Sequence, residues 1–447
     1  MLIKSRREFL KAGLKSVSAL GAAGALSHFG EMNAYAAANP NYKALVCVFL
    51  LGGNDGHNTV IPVTTTKQNY SQYYGSRPSI ALPQSQLLTI PAGSDVYGLH
   101  PRLAGVRSLY LQNKAAVVAN VGMLAQPIAN RTALLAGAKV PVALYSHSDQ
   151  TSQWQSSVYT GISSSGWGGR VADAVAGLNT SSQFPEVVFT GAGGLFCAGV
   201  STAPTSVPPG GAIGLNYGSL TRNSAAQQLL TFDNGLKLVQ AANGILTRGN
   251  SNAAALNAAL ATAPTLQTAF PSTGTANQLK MVARLISIQS QLGLNRQIFF
   301  VTLGGFDTHG TEVSMQDGLF AELDPALTAF YNATVELGVS QQVTTFTCSE
   351  FGRTLMANTG GGTDHAWGSN HFVIGGAVAG GAMYGAFPLL ANGGQDDANG
   401  RGAMIPGASV DQYGATLAQW FGVPQANVAS IFPNIGAFSS SNLGFLG

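Results

Sequence analysis

Apolar residues along this chain come in short dense runs rather than in strict alternation. Five such runs, 44–51, 115–121, 186–190, 297–303 and 343–348, are rich in Val, Phe, Leu or Thr. Runs of this kind suit strands covered on both faces of a parallel sheet. Between them lie stretches with helical spacing of apolar residues: 104–112, 224–245, 253–260 and 279–292. The alternation predicts an α/β fold, a central mostly parallel sheet flanked by helices on both faces. The stretches 191–218 and 393–407 are rich in Gly with Pro, Ser, Ala or Asn, and read as long surface loops. No repeat of fixed period and no linker with a shift of composition interrupts the pattern. The expected organisation is an N-terminal export segment, 1–36, and one domain, 37–447, with loop insertions near 191–218 and 393–407.

The export segment rests on Ser5-Arg6-Arg7-Glu8-Phe9-Leu10-Lys11, a short apolar stretch at 17–26 and Ala34-Tyr35-Ala36. Paired arginines before such a stretch are the address read by the twin-arginine translocase, and small residues mark the cleavage point, after Ala36, Ala37 or Ala38. Gly21 and Gly24 interrupt the apolar stretch, which is too short to span a membrane. The mature chain carries no transmembrane segment and is expected in the periplasm, on the cell surface or secreted.

Removing the segment changes the charge. Five of the 22 basic and two of the 19 acidic residues precede residue 37, which leaves 17 of each. The mature chain is formally neutral, and no basic patch argues for nucleic acid or anionic lipid. Charged residues are only 9% of the chain, against about a quarter in ordinary soluble proteins. Cys47, Cys197 and Cys348 are odd in number and two lie in strand runs, so they read as buried thiols.

In a chain this poor in charge, the placement of acids and histidines is informative. Open α/β sheets bind ligands beyond the carboxyl ends of their strands. Asp55 lies in Gly52-Gly53-Asn54-Asp55-Gly56-His57 after the first strand, where a plain Asn-Asp-Gly turn uses the same residues. Asp307 and His309 lie in Gly305-Phe306-Asp307-Thr308-His309 after the fourth, able to reach one divalent cation. Glu350 and Arg353 follow the fifth, and Arg353 could clamp an oxyanion with two parallel hydrogen bonds. Asp364, His365 and His371 follow Gly360-Gly361-Gly362. His147, Ser148 and Asp149 read as a helix start capped by Ser148 or Asp149, where a hydroxyl is well placed to attack an anion. Asp55, Asp307, His309, Glu350 and His365 together offer a mixed O/N set for Zn, Mn, Mg or Ca. His100 follows no clear strand and reads as structural or as a site edge.

On these motifs the chain resembles the DUF1501 proteins, exported bacterial proteins related to sulfatases and alkaline phosphatases. The matching stretches include 48–56, Gly98-Leu99-His100-Pro101, 146–150, 305–309, 349–354, Asp364-His365, 375–381 and 420–423. The resemblance implies an alkaline-phosphatase-like mixed sheet and a two-metal site at strand ends. In that pattern Asp55 resembles the first metal aspartate, Asp307 and His309 an Asp–His pair, and His365 or His371 the late histidine. Glu350 stands where an Asp–His dipeptide follows the strand, and Phe351 replaces the histidine. No Cys or Ser sits in a Cys/Ser-x-Pro-x-Arg frame, which argues against a formylglycine sulfatase. The implied activity is metal-dependent hydrolysis of phosphate or sulfate esters, the substrate a small molecule or glycan. Ser148, or Thr151, would be the nucleophile, or His147 would position a water, and Arg353 would hold a non-bridging oxygen. The alternative is a non-catalytic surface or matrix protein that keeps the fold and a structural metal.

Overall fold

The computed structural model describes residues 41–211, 218–232 and 235–447. The export segment, 1–36, and part of the predicted loop at 191–218 lie outside the described residues. The strands are β1 (Lys43–Leu51), β2 (Val60–Thr64), β3 (Leu88–Ala92), β4 (Asp95–Leu99), β5 (Ala115–Gly122), β6 (Val187–Phe189), β7 (Thr205–Ser206), β8 (Arg296–Gly304), β9 (Val343–Cys348), β10 (Ser369–Gly375), β11 (Met383–Tyr384) and β12 (Ala408–Ser409). The main sheet runs β11-β5-β10-β9-β1-β8-β6-β7, with β12 also on β5, and β2-β4-β3 form a small antiparallel sheet. In the main sheet β1 pairs in parallel with both β8 and β9, whereas β10 is antiparallel to β5 and β9. The architecture is therefore α/β, with a mostly parallel central sheet.

All five strands read from apolar runs are present. Their faces divide the core. Ala44, Val46, Val48 and Leu50 of β1 point into one cluster, which holds the helices Ala104–Leu111, Gly274–Ser287 and Glu312–Glu336 and the small sheet. Leu45, Cys47 and Phe49 point into the other, with the helices Trp167–Val175 and Val410–Phe421. Burial on both faces explains why the runs lack alternation. Cys47, Cys197 and Cys348 are free and buried.

The structure differs from the sequence reading at three places. The helices expected at 224–245 and 253–260 are instead Leu220–Leu230 and Lys237–Ala261. The second runs through Asn250-Ser251-Asn252, where polar residues hid its continuity. β10 contains His371 and is not among the strands expected from the sequence. Its preceding glycines and mixed composition mask a strand whose seven residues are all buried. No helix of the described residues is long and apolar enough to cross a membrane.

The sheet topology gathers the chemistry-bearing loops. Three parallel neighbours, β9-β1-β8, end on one edge, and antiparallel β10 begins there. The loop after β1 turns sharply at Gly52, whose φ is +118° and whose added Cβ would lie 2.3 Å from the Asp307 backbone nitrogen. Only glycine allows the β1 and β8 loops to touch. We expect Gly52→Ala to cost at least ~2 kcal/mol through backbone strain and overpacking. Chemical denaturation reads this, and an unchanged midpoint contradicts it.

His371 sits deep in the second core, its ring centroid 6.0 Å from Trp154 and 5.9 Å from Tyr413. Neither ring nitrogen has a hydrogen-bond partner, and burial pushes its pKa down to about 3. The unfolded chain binds this proton near pH 6.5, so the stability the neutral ring confers is full above that pH and drains away as pH falls towards 3. His371→Phe removes the term. Relative to wild type, the variant should gain up to about 1.4 kcal/mol of stability per pH unit between pH 6.5 and 4. A stability difference independent of pH contradicts this placement.

Candidate metal centre

The side chains at the edge are set by short local devices. His147 opens the helix His147–Ser156, capped by the Ser146 hydroxyl and not by Ser148 or Asp149. Tyr145, just before the cap, is held at a left-handed φ of +73°, a strained conformation of the kind that collects at functional sites. Asp307 and His309 lie in the loop between β8 and the helix Glu312–Glu336. His365 lies in the long connection from β9 to β10.

Four of these side chains converge. The Nε2 atoms of His147, His309 and His365 lie 3.3, 3.1 and 3.5 Å from Asp307 Oδ1, and His309 Nε2 is 2.9 Å from His365 Nε2. Each ring is also backed on its other nitrogen. His147 Nδ1 faces Glu350 Oε1 at 2.9 Å. His365 Nδ1 faces the Tyr145 carbonyl at 2.7 Å, and His309 Nδ1 faces Asp364 Oδ1 at 3.5 Å. With the proton on Nδ1 facing that oxygen, each ring would aim its Nε2 lone pair inward, the arrangement of metal-ligating histidines.

The donor set fits a metal ion. The donor atoms of His147, Asp307 and His365 all lie within 4.8 Å of one another, and His309 lies beside that group, against Asp307 and His365. Two imidazoles and one carboxylate, with a third imidazole beside them, suit Zn better than Mg or Ca. Asp307 and His309 are about half exposed, at 50% and 47%, so the cluster opens to solvent on their side.

Electrostatics agrees with the donor states. Burial alone would raise the Asp307 carboxyl, but its hydrogen bond to Arg353 and that residue's charge, then His147 and His309, hold it down at about 2. His365 is shifted down, by burial first and also by the charge of Arg353, against the pull of the Tyr145 carbonyl. Both are thus available as lone-pair donors at neutral pH.

Arg353 occupies the centre of the loops. It is fully buried and donates to the carbonyls of Gly53 at 2.9 Å, Thr363 at 3.1 Å and Gly52, and to Asp307 Oδ1. Its donors are committed to protein acceptors, so it does not stand free as an anion clamp. It joins the β1, β8 and β9–β10 loops.

Several residues expected at the metal lie elsewhere. Asp55 caps the short helix Gly56–Thr59 and forms a buried ion pair with Arg77, Nη2 to Oδ2 at 2.5 Å and Nη1 to Oδ1 at 3.1 Å. Both oxygens accept hydrogen bonds from protein donors. Glu350 stands behind His147, and its Oε1 also accepts the Gly52 N–H at 2.8 Å. The β1 turn leaves that N–H without a ladder partner and draws the carboxylate back. Asp364 stands behind His309 and pairs with Arg401 at 2.6 Å. His371 is in the core. The Ser148 hydroxyl is exposed and bonds within its own turn, 3.2 Å from Ser146 Oγ and 3.3 Å from Asp149 Oδ2, rather than to the cluster. His100 is buried, its Nδ1 accepting the Arg102 N–H at 3.1 Å, which makes it structural.

Sequence reasoning missed the Tyr145 carbonyl, the packing role of Phe351, Arg77 and Glu312. Phe351, where the resemblance called for histidine, stacks on His365 at 4.7 Å and packs against His147 at 4.7 Å, fixing two rings by apolar contact. No motif marks a backbone carbonyl or a residue that pairs far along the chain.

Solved structures similar to the chain include Ps i-CgsB, with TM-score 0.36, 9% identity, 88% of this chain and 77% of that one. The PsFucS1 sulfatase from Pseudoalteromonas sp. has TM-score 0.31, 9% identity, 79% and 68%. A mutant of the alkaline phosphatase PafA has TM-score 0.28, 13% identity, 71% and 64%. Likenesses this distant add nothing to the strand order and donor geometry described above. No curated protein matches the sequence. A family model described as a protein of unknown function, DUF1501, matches residues 42–399, and the chain belongs to that family.

Proposed function

We propose that this chain is a metal-dependent hydrolase of phosphate or sulfate esters, exported folded by the twin-arginine translocase and acting in the periplasm, at the cell surface or outside the cell. The observation that carries the metal is the convergence of three Nε2 atoms on Asp307 Oδ1, each Nδ1 backed by an oxygen. His147, Asp307 and His365 would hold the ion, with His309 beside them. His147 thereby takes the part of a ligand rather than of a water-positioning base. A bound Zn²⁺ supplies Lewis acidity and lowers the pKa of a water or hydroxyl. The ester class rests on the resemblance that the sequence motifs carry and on the solvent-open side of the cluster. Ser148, one residue after His147 at a helix start, is the side-chain candidate for the attacking oxygen. The exposed hydroxyl can turn from Ser146 and Asp149 towards an anion at the helix start.

Purified protein should carry close to one equivalent of transition metal by elemental analysis. Asp307→Ala and His365→Ala should lose it while remaining folded. Metal-free wild type, or variants that retain full occupancy, overturns the metal centre. Aryl phosphate and aryl sulfate esters then test the chemistry: turnover lost in both ligand variants supports hydrolysis, and no turnover by metal-loaded wild type favours a structural metal in a surface protein. Activity lost in Ser148→Ala identifies that hydroxyl as nucleophile, and retained activity identifies water.

Asp55 separates the structural account from the sequence expectation. Asp55→Asn leaves the buried Arg77 guanidinium without its counter-charge and should cost ~3–5 kcal/mol, yet leave the metal content of the folded protein unchanged. Loss of metal with undiminished stability contradicts this.

A further inference from the structure

Glu312 opens the helix that follows the Asp307–His309 loop. It is fully buried, an unusual position for a carboxyl. Its Oε2 accepts two hydroxyls, from Thr308 and, at 2.9 Å, from Thr363. Thr308 stands between Asp307 and His309. Thr363 directly precedes Asp364 and lies two residues before His365. One oxygen therefore grips both loops that supply the candidate ligands, and it grips each next to the residue that matters.

The backbone makes the same join. Thr363 N–H donates to the Thr308 carbonyl at 3.0 Å, and Glu312 N–H to the Gly361 carbonyl at 3.2 Å. Gly310 and Gly361 form an isolated antiparallel bridge. Gly362 packs so closely that an added Cβ would lie 2.2 Å from the His309 carbonyl carbon. These contacts pair the backbones of the two loops. The shared carboxyl oxygen fixes the offset at the ligand-bearing residues.

We propose that Glu312 is a positioning residue: by binding Thr308 and Thr363 through one carboxyl oxygen, it sets the separation of Asp307 from His365 and so the fit of the metal centre. The inference rests on the metal reading of that centre. Ligand-orienting groups one layer out from a metal commonly carry 10–100-fold of its affinity, because the donors must meet at fixed distances. Glutamine at 312 keeps an oxygen that can accept both hydroxyls. Burial and the nearby Asp55 push the Glu312 carboxyl up to about 7 against the pull of Thr308 and Arg77, so a neutral amide is a fair substitute at neutral pH. Valine at 308 and 363 keeps the side-chain shape and removes the donors.

Zinc affinity by chelator competition on full-length folded protein tests this, with folding checked by circular dichroism. Thr308→Val with Thr363→Val should weaken zinc binding roughly 10–100-fold, as should Glu312→Leu. Glu312→Gln should stay within about threefold of wild type, since the accepting oxygen survives. Wild-type affinity in the double threonine variant, or a Glu312→Gln as weak as Glu312→Leu, overturns the proposal. If Glu312→Leu does not fold, the threonine pair carries the test. Hydrogen exchange of metal-free protein gives a readout independent of zinc. Exchange at 306–311 and 360–365 should quicken in the double threonine variant, and unchanged exchange overturns the clamp. If wild type binds no zinc but exchange quickens, the metal reading fails and the clamp stands.

Discussion

The buried guanidinium of Arg353 is the interaction on which the rest of this site depends. A fully buried cation is costly unless its donors are matched and a counter-charge is near. Here the chain supplies carbonyls from the β1 loop and the β9–β10 connection, and a carboxylate from the β8 loop. Satisfying one side chain thus obliges three loops to meet at the sheet edge. It also decides the state of Asp307, whose carboxyl is held ionised far below its ordinary range. The three histidines then close around an oxygen whose position and charge are already fixed.

A second tier supports the first. Glu350 steadies His147 and the turn at Gly52, Asp364 steadies His309, and the Tyr145 carbonyl steadies His365. Beneath them lies the Asp55–Arg77 pair, and Glu312 sits between that pair and the loops. The chain is poor in charge as a whole. Many of its acids are spent on holding imidazoles, arginines or loop N–H groups in place, and of the acids around the cluster only Asp307 presents an oxygen at its centre.

The sheet was legible because its strands are buried on both faces, and such runs carry little polar noise. That Asp307, His309 and His365 could share a neighbourhood followed from their placement after strands. The distinction between ligand and supporter was not legible. Asp55, Glu350 and Asp364 are acids in loops like Asp307, and what separates them is tertiary: Arg77 arrives from 22 residues away in sequence, and Gly52 N–H from nearly 300. His371 misled for the same reason. It shares a motif with His365, but β10 begins between them and carries His371 into the core. The Ser146 cap shifted the expected helix start and turned His147 towards the cluster.

X-ray absorption at the metal edge of protein purified from its native export route tests the central claim most directly. The account predicts a first shell of nitrogen and oxygen at about 2.0–2.1 Å, with outer scattering from imidazole rings. A first shell of oxygen without imidazole scattering, or the absence of a bound transition metal, contradicts it.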